Sequence, residues 1–92
     1  MAKKCAHLVI HGNVQGVFFR AYLRDRAERS KITGWVKNCF DGTVEALLEG
    51  EEELVQQIVD WARTGPSEAE VKKVDVNWEK PKGEFKNFSI VY

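Results

Sequence analysis

A chain of 92 residues has room for one hydrophobic core, so residues 1–92 are expected to form a single domain. With 43% hydrophobic and 30% charged residues it has the composition of an ordinary folded chain, and its formal net charge of zero argues against general affinity for nucleic acid. The apolar run after Lys3 and Lys4 is interrupted by His7 and His11 and is too short for a signal-peptide core or a membrane span. A cytoplasmic location without membrane attachment is expected. Cys5 and Cys39 are too few for a disulfide framework and are read as free thiols, with a single bridge as the other possibility.

Along the chain, residues 4–11 alternate, with Ala6, Leu8 and Ile10 on one face and Cys5, His7, Val9 and His11 on the other, the pattern of a half-buried strand. Gly12-Asn13-Val14-Gln15-Gly16-Val17-Phe18-Phe19-Arg20 follows and leads into a helix whose apolar stripe is Phe19, Leu23 and Ala27, with Tyr22 beside it. Lys31 to Gly34 ends that helix. Residues 32–38 read as a second strand, Asp41-Gly42 as a hairpin turn, and Val44, Ala46 and Leu48 as a third strand closed by Gly50. Glu51, Glu52 and Glu53 suit a helix start. Leu54, Val55, Ile58, Trp61 and Ala62 form its stripe, and Thr64-Gly65-Pro66 its end. Val74, Val76 and Trp78 mark a fourth strand, Pro81-Lys82-Gly83 a turn, and Phe88, Ile90 and Tyr92 a short last strand.

The order βαββαβ with a short C-terminal extra strand predicts an α+β, ferredoxin-like fold, an antiparallel sheet with two helices on one face. In that topology the first strand runs up into the glycine-containing stretch, the helix returns, and the second strand runs up to Asn38. The stretch around Gly16 and Asn38 must therefore share one end of the sheet.

The chemistry available at that end is narrow. Two glycines between a strand and a helix permit a turn whose N–H groups face inward, and the first N–H groups of the helix add to it. The backbone amides of this stretch are expected to form an oxyanion cradle, with the Arg20 guanidinium as a planar fork of donors. Neither cysteine is followed six residues on by arginine, and GxxxxGK[ST], GxSxG, HExxH and CxxC are all missing. His7 and His11 on one extended strand are too far apart to share a metal. An anion cradle, a guanidinium and the Asn38 amide suffice for phosphoryl transfer to water when the leaving group is good, because that reaction needs mainly positioning and charge stabilisation. A carboxylate, with a conjugate-acid pKa of about 4, leaves without an acid.

Gly12-x-Val14-Gln15-Gly16-Val17-x-Phe19-Arg20 resembles the first signature of the acylphosphatases. Gly34-Trp35-Val36-x-Asn38-x-x-x-Gly42-x-Val44, followed by Gly50, resembles their second, and the likeness covers essentially the whole chain. The resemblance implies a small cytosolic enzyme without cofactor that hydrolyses acyl phosphates to a carboxylate and inorganic phosphate, the latter also a competitive ligand. By position, Arg20 would bind the phosphoryl group, the backbone N–H groups of Gln15, Gly16, Val17, Phe18, Phe19 and Arg20 would complete the cradle, and Asn38 would orient the attacking water. Phe18, Cys39 and Phe40 occupy positions that the family leaves variable, and their bulk is expected to shape the acyl pocket. The small size suggests a monomer.

Plainer readings stand beside these. Asn38 alone is a common hairpin residue, the Gln15 side chain is expected to pack rather than bind, and Cys39 has nothing nearby in sequence to activate it. Trp35, Trp61 and Trp78 fit packing roles. The rival function is a non-catalytic ferredoxin-like domain that binds an anion or metabolite. Residues 42–50 lack the aromatic pattern of an RNA-recognition strand.

Overall fold

A computed structural model describes residues 2–92 and orders them as β1 (Lys3–Asn13), α1 (Phe19–Arg29), β2 (Thr33–Asn38), β3 (Val44–Glu51), α2 (Glu52–Ala62), β4 (Glu70–Glu79) and β5 (Phe88–Ile90). The strands form one sheet in the order β4-β1-β3-β2-β5. All pairings are antiparallel except that of β5, which joins β2 in parallel, so the ferredoxin-like sheet is mixed at this edge. Gly34 pairs with Phe88 and Val36 with Ile90, and the Val91 N–H donates to the Val36 carbonyl. Because β5 runs with β2, residues 91–92 finish at the same end of the sheet as Asn38.

Alternation decides which face is covered. Ala6, Leu8 and Ile10 of β1, Val36 of β2 and Val44, Ala46 and Leu48 of β3 are buried against Phe19, Leu23 and Ala27 of α1 and Val55, Ile58, Val59 and Ala62 of α2. At roughly 1.5–3 kcal/mol for each fully buried large apolar side chain, this layer is the main favourable contribution to folding. Tyr22, expected beside the α1 stripe, faces solvent instead. Helix α1 ends where Lys31 takes φ 57°, with the Ile32 N–H reaching the Ala27 carbonyl at 2.8 Å. Glu52 and Glu53 occupy the first turn of α2, complementing its dipole. None of the described helices is long and apolar enough to cross a membrane.

Gly12 lies inside β1, at the point where the register with β4 slips between His11 and Gly12. Its φ is 131°, and a Cβ there would sit 2.1 Å from the Glu70 carbonyl oxygen. This glycine therefore serves the close approach of β4.

Two carboxylates on β3 organise opposite ends of the sheet. Glu49 is buried and accepts from the Lys82 N–H at 2.6 Å and the Gly83 N–H at 2.9 Å, which pins the irregular chain between β4 and β5. Cys5 pairs with Glu49, whereas Cys39 follows the Asn38–Val44 pair. The two sites lie five β3 residues apart, about 17 Å at strand rise, beyond the reach of a disulfide. Both cysteines are free. Burial, then the charge of Glu49, pushes the Cys5 thiol pKa up.

The second carboxylate is Glu45, on the helix-free face. His7 Nε2 lies 2.6 Å from its Oε2 and Lys37 Nζ 3.6 Å from its Oε1. The hydrogen bond to His7 is the chief cause holding the Glu45 carboxyl below its ordinary range. A carboxylate with a depressed folded-state pKa contributes stability that is present above its unfolded value and lost as pH falls through the folded value. Glu45→Gln is expected to lower stability at neutral pH by about 1 kcal/mol and to flatten the loss of stability below about pH 4.5. Urea melts of both proteins at several pH values check this, and parallel curves down to pH 3 would contradict it.

Candidate active site

The stretch between β1 and α1 changes backbone hand twice. Gly16 has φ 77°, Val17 returns to negative φ, and Phe18 has φ 61° and ψ 20° before the helix begins at Phe19. Alternation of this kind curls successive N–H groups toward a common point, making an anion-binding concavity. A Cβ on Gly16 would meet nothing within 4 Å, so its glycine serves backbone conformation and not space. Phe18 takes the same left-handed region with a bulky side chain, at a cost of about 1–2 kcal/mol. No sequence rule places a phenylalanine there, so the second turn of hand was not foreseen.

The N-terminus of α1 is left open to this concavity. Phe18 gives no side-chain cap and the first turn carries no acidic residue. The first helical hydrogen bond runs from the Tyr22 N–H to the Phe18 carbonyl at 3.0 Å. The N–H groups of Phe19, Arg20 and Ala21 precede it and add to the positive end of the dipole.

One hollow of about 260 Å³ gathers these groups. Gly16, Phe18, Phe19, Arg20, Ala21 and Asn38 all line it. The structure thus brings together residues 20 and 38, and with them most of the expected cradle. Val17 is half-buried against the core, and Gln15 lies on the adjoining cleft. Arg20 stacks its guanidinium on the Tyr92 ring, 5.2 Å from the centroid, and no acidic side chain among the described residues is within ion-pair distance of it. Asn38 ends β2, and its Oδ1 is buried without a hydrogen-bond partner among the described residues. A buried amide oxygen left in that state is unfavourable unless something at the site donates to it.

The Gln15 side chain does more than pack. Its Nε2 donates to the Cys39 carbonyl at 2.8 Å and to the Thr43 carbonyl at 2.9 Å. Across the hairpin loop, the Cys39 N–H donates to the Thr43 carbonyl and the Gly42 N–H to the Cys39 carbonyl. The Asp41 carboxylate accepts from the Thr43 hydroxyl at 2.6 Å and from its N–H at 3.0 Å, and these bonds lower the Asp41 pKa. Gln15 therefore clamps the loop that follows Asn38 to the loop that precedes Arg20. Its place in the first signature was legible, but its partners lie 24 and 28 residues away and became visible only in the fold.

Cys39 is half-buried, with Sγ 3.6 Å from Glu45 Oε1. That neighbour accepts the thiol's hydrogen. No group of three or more His, Cys, Asp and Glu among the described residues is placed to share a metal ion.

Comparison with known proteins agrees with the geometry. The acylphosphatase family model matches residues 6–90. An acylphosphatase of Chloroflexus aurantiacus is 51% identical over 87 residues, covering 95% of each chain. One of Pelotomaculum thermopropionicum is 46% identical over 92 residues, covering 100% of each. The crystal structure of acylphosphatase from Bacillus subtilis superposes with a TM-score of 0.92 at 36% identity, covering 97% of this chain and 99% of that one. Identity near one half across relatives of almost equal length, on a fold that matches nearly end to end, settles the family. The chain belongs to the acylphosphatases.

Proposed function

We propose that this enzyme hydrolyses acyl phosphates by direct in-line attack of water, with Arg20 and the backbone N–H groups from Gln15 to Arg20 holding the phosphoryl group and Asn38 orienting the water. Acyl phosphate hydrolysis itself follows from family membership. The division of labour among the residues is our own reading, and one observation carries it: a single hollow is lined by Arg20, Asn38 and the open N-terminal turn of α1.

In the reaction, the water oxygen forms a bond to phosphorus as the bond from phosphorus to the acyl oxygen breaks. The electron pair leaves with the carboxylate. A phosphate oxygen takes the water's proton, which yields dihydrogen or monohydrogen phosphate according to pH. The negative charge spread over the phosphoryl oxygens is met by the guanidinium and by fixed amide dipoles that need no reorganisation. The unpartnered Asn38 Oδ1 supports its role as acceptor for a water hydrogen. Since the leaving carboxylate needs no protonation, the site requires no general acid. Inorganic phosphate, as product, competes for the same hollow. We read the whole 92-residue chain as one cytoplasmic, monomeric catalytic unit, without a cofactor and without nucleic-acid or membrane partners.

Release of phosphate from benzoyl phosphate in the presence of a chelator is the direct test. Asn38→Ala is expected to lower turnover about a hundredfold or more while inhibition by phosphate changes little. Arg20→Gln should damage both. Full activity in Asn38→Ala would remove it from the mechanism, and loss of activity in Cys39→Ala, expected to be nearly silent, would point to covalent catalysis.

The clamp gives a separate expectation. Gln15→Ala removes the side-chain donor shared by two carbonyls and unties the loop after Asn38 from the loop before Arg20, so turnover should fall about tenfold or more with a smaller change in phosphate inhibition. Gln15→Glu, which replaces the donor with an acceptor facing two carbonyls, should be worse than alanine. Steady-state kinetics with phosphate inhibition read both effects.

A further inference from the structure

A second space adjoins the phosphoryl hollow. It is a cleft of about 810 Å³, within the range of small-molecule sites, and it shares Arg20, Asn38 and Tyr92 with the hollow while extending over Phe40 and Val91. The hollow accounts for the phosphoryl group and leaves the other half of the substrate unplaced. The cleft is the continuous space into which that half can extend.

Its walls state a preference. Among the described residues, the large apolar side chains left exposed are Phe18, Tyr22, Phe40, Trp78, Val91 and Tyr92. Four of these six line the hollow or the cleft, which concentrates exposed apolar surface at one mouth. Phe40 stands two residues beyond Asn38, in the hairpin loop clamped by Gln15. Tyr92 reaches the same place from the far edge of the sheet because β5 runs parallel to β2. Lys37, the cleft's other cation, does not favour an anionic tail: its Nζ is 3.6 Å from Glu45 and 5.5 Å from the Trp35 ring centroid.

We propose that this cleft is the acyl subsite and that the Phe40 and Tyr92 rings select flat apolar acyl groups, aroyl groups above all, over short aliphatic ones. The proposal rests on the assignment of the hollow to the phosphoryl group. An aromatic acyl group in the cleft covers exposed apolar surface of the rings that line it, whereas an acetyl group covers little of it. Tyr92 has a second effect, since its ring also fixes the Arg20 guanidinium. Phe40 makes no such contact, which allows the two contributions to be separated.

The experiment compares kcat/KM for benzoyl phosphate and acetyl phosphate, with phosphate inhibition measured in parallel, in the unmodified enzyme and in Phe40→Ala, Tyr92→Ala, Tyr92→Phe and the Phe40→Ala/Tyr92→Ala double variant. Both substrates release a carboxylate of similar basicity, so the change in their ratio reports the acyl contact. The ratio of benzoyl to acetyl is expected to fall about three- to tenfold for each ring removed, mainly through KM for benzoyl phosphate. Phosphate inhibition should stay within about twofold in Phe40→Ala, and Tyr92→Phe should keep the ratio. An unchanged ratio in the double variant, with both substrates turned over, overturns the subsite and leaves the phosphoryl site standing. No turnover of either substrate by the unmodified enzyme overturns both. All the substituted side chains are solvent-exposed, so the core is untouched.

Discussion

The Gln15 carboxamide has two hydrogens on one nitrogen, and both go to backbone carbonyls of another loop, Cys39 at 2.8 Å and Thr43 at 2.9 Å. That single side chain fixes the distance between the turn that precedes Arg20 and the residue after Asn38. A site that works by positioning depends on such a constraint, because a displacement of about 1 Å can cost two orders of magnitude in rate. The receiving loop is stiff in its own right, cross-bonded between Cys39 and Thr43 and held by the Asp41 carboxylate. Two rigid pieces joined by one clamp behave as one piece. The phosphoryl hollow inherits its shape from this arrangement more than from any single functional side chain.

The sheet separates this working end from a structural one. At the structural end, Glu49 is buried and takes the Lys82 and Gly83 N–H groups, and the long chain between β4 and β5 is thereby held in place. What that chain delivers is β5, whose parallel pairing sends Val91 and Tyr92 back up to Asn38. An antiparallel last strand would have carried those residues away from the site. The orientation of three residues at the sheet edge therefore decides whether Arg20 has an aromatic surface to lie on.

What could be seen in the sequence, and what could not, follows the range of each interaction. The seven elements and the helix-facing residues were legible because alternation and the 3.6-residue period are local consequences of burial. Arg20 and Asn38 were legible as neighbours because topology alone brings the upper ends of β1 and β2 to the top of α1. Tyr22 misled, since adjacency to Leu23 on a short helix does not say where the buried stripe stops. The strand that holds Glu49 was legible, but its burial was not, because its two N–H donors come from residues 33 and 34 positions away. The Gln15 clamp and the parallel β5 are long-range facts with no local signal. Phe18 is the opposite case, a local conformation that propensity forbids and the surrounding structure imposes.

That strained residue is one of three unfavourable features gathered at the same end of the sheet. The concavity is built from conformations and groups the rest of the fold avoids: a bulky residue at positive φ, helix N–H groups without a cap, and a buried amide oxygen without a donor. On the proposed mechanism the phosphoryl anion meets the uncapped N–H groups and a water meets the Asn38 oxygen, while the Phe18 conformation is held by the surrounding structure. In that mechanism these polar groups face the phosphoryl oxygens and the nucleophile. Among the described residues, the two nearby carboxylates are engaged elsewhere: Asp41 by Thr43, its pKa lowered by those bonds, and Glu45 by His7. With leaving-group protonation unprovided, the barrier for an alkoxide leaving group stays high, while a carboxylate departs without help. On the proposed mechanism, selectivity for mixed anhydrides over simple phosphate esters comes from the chemistry the site omits, and the choice among acyl groups falls to the proposed subsite at its mouth.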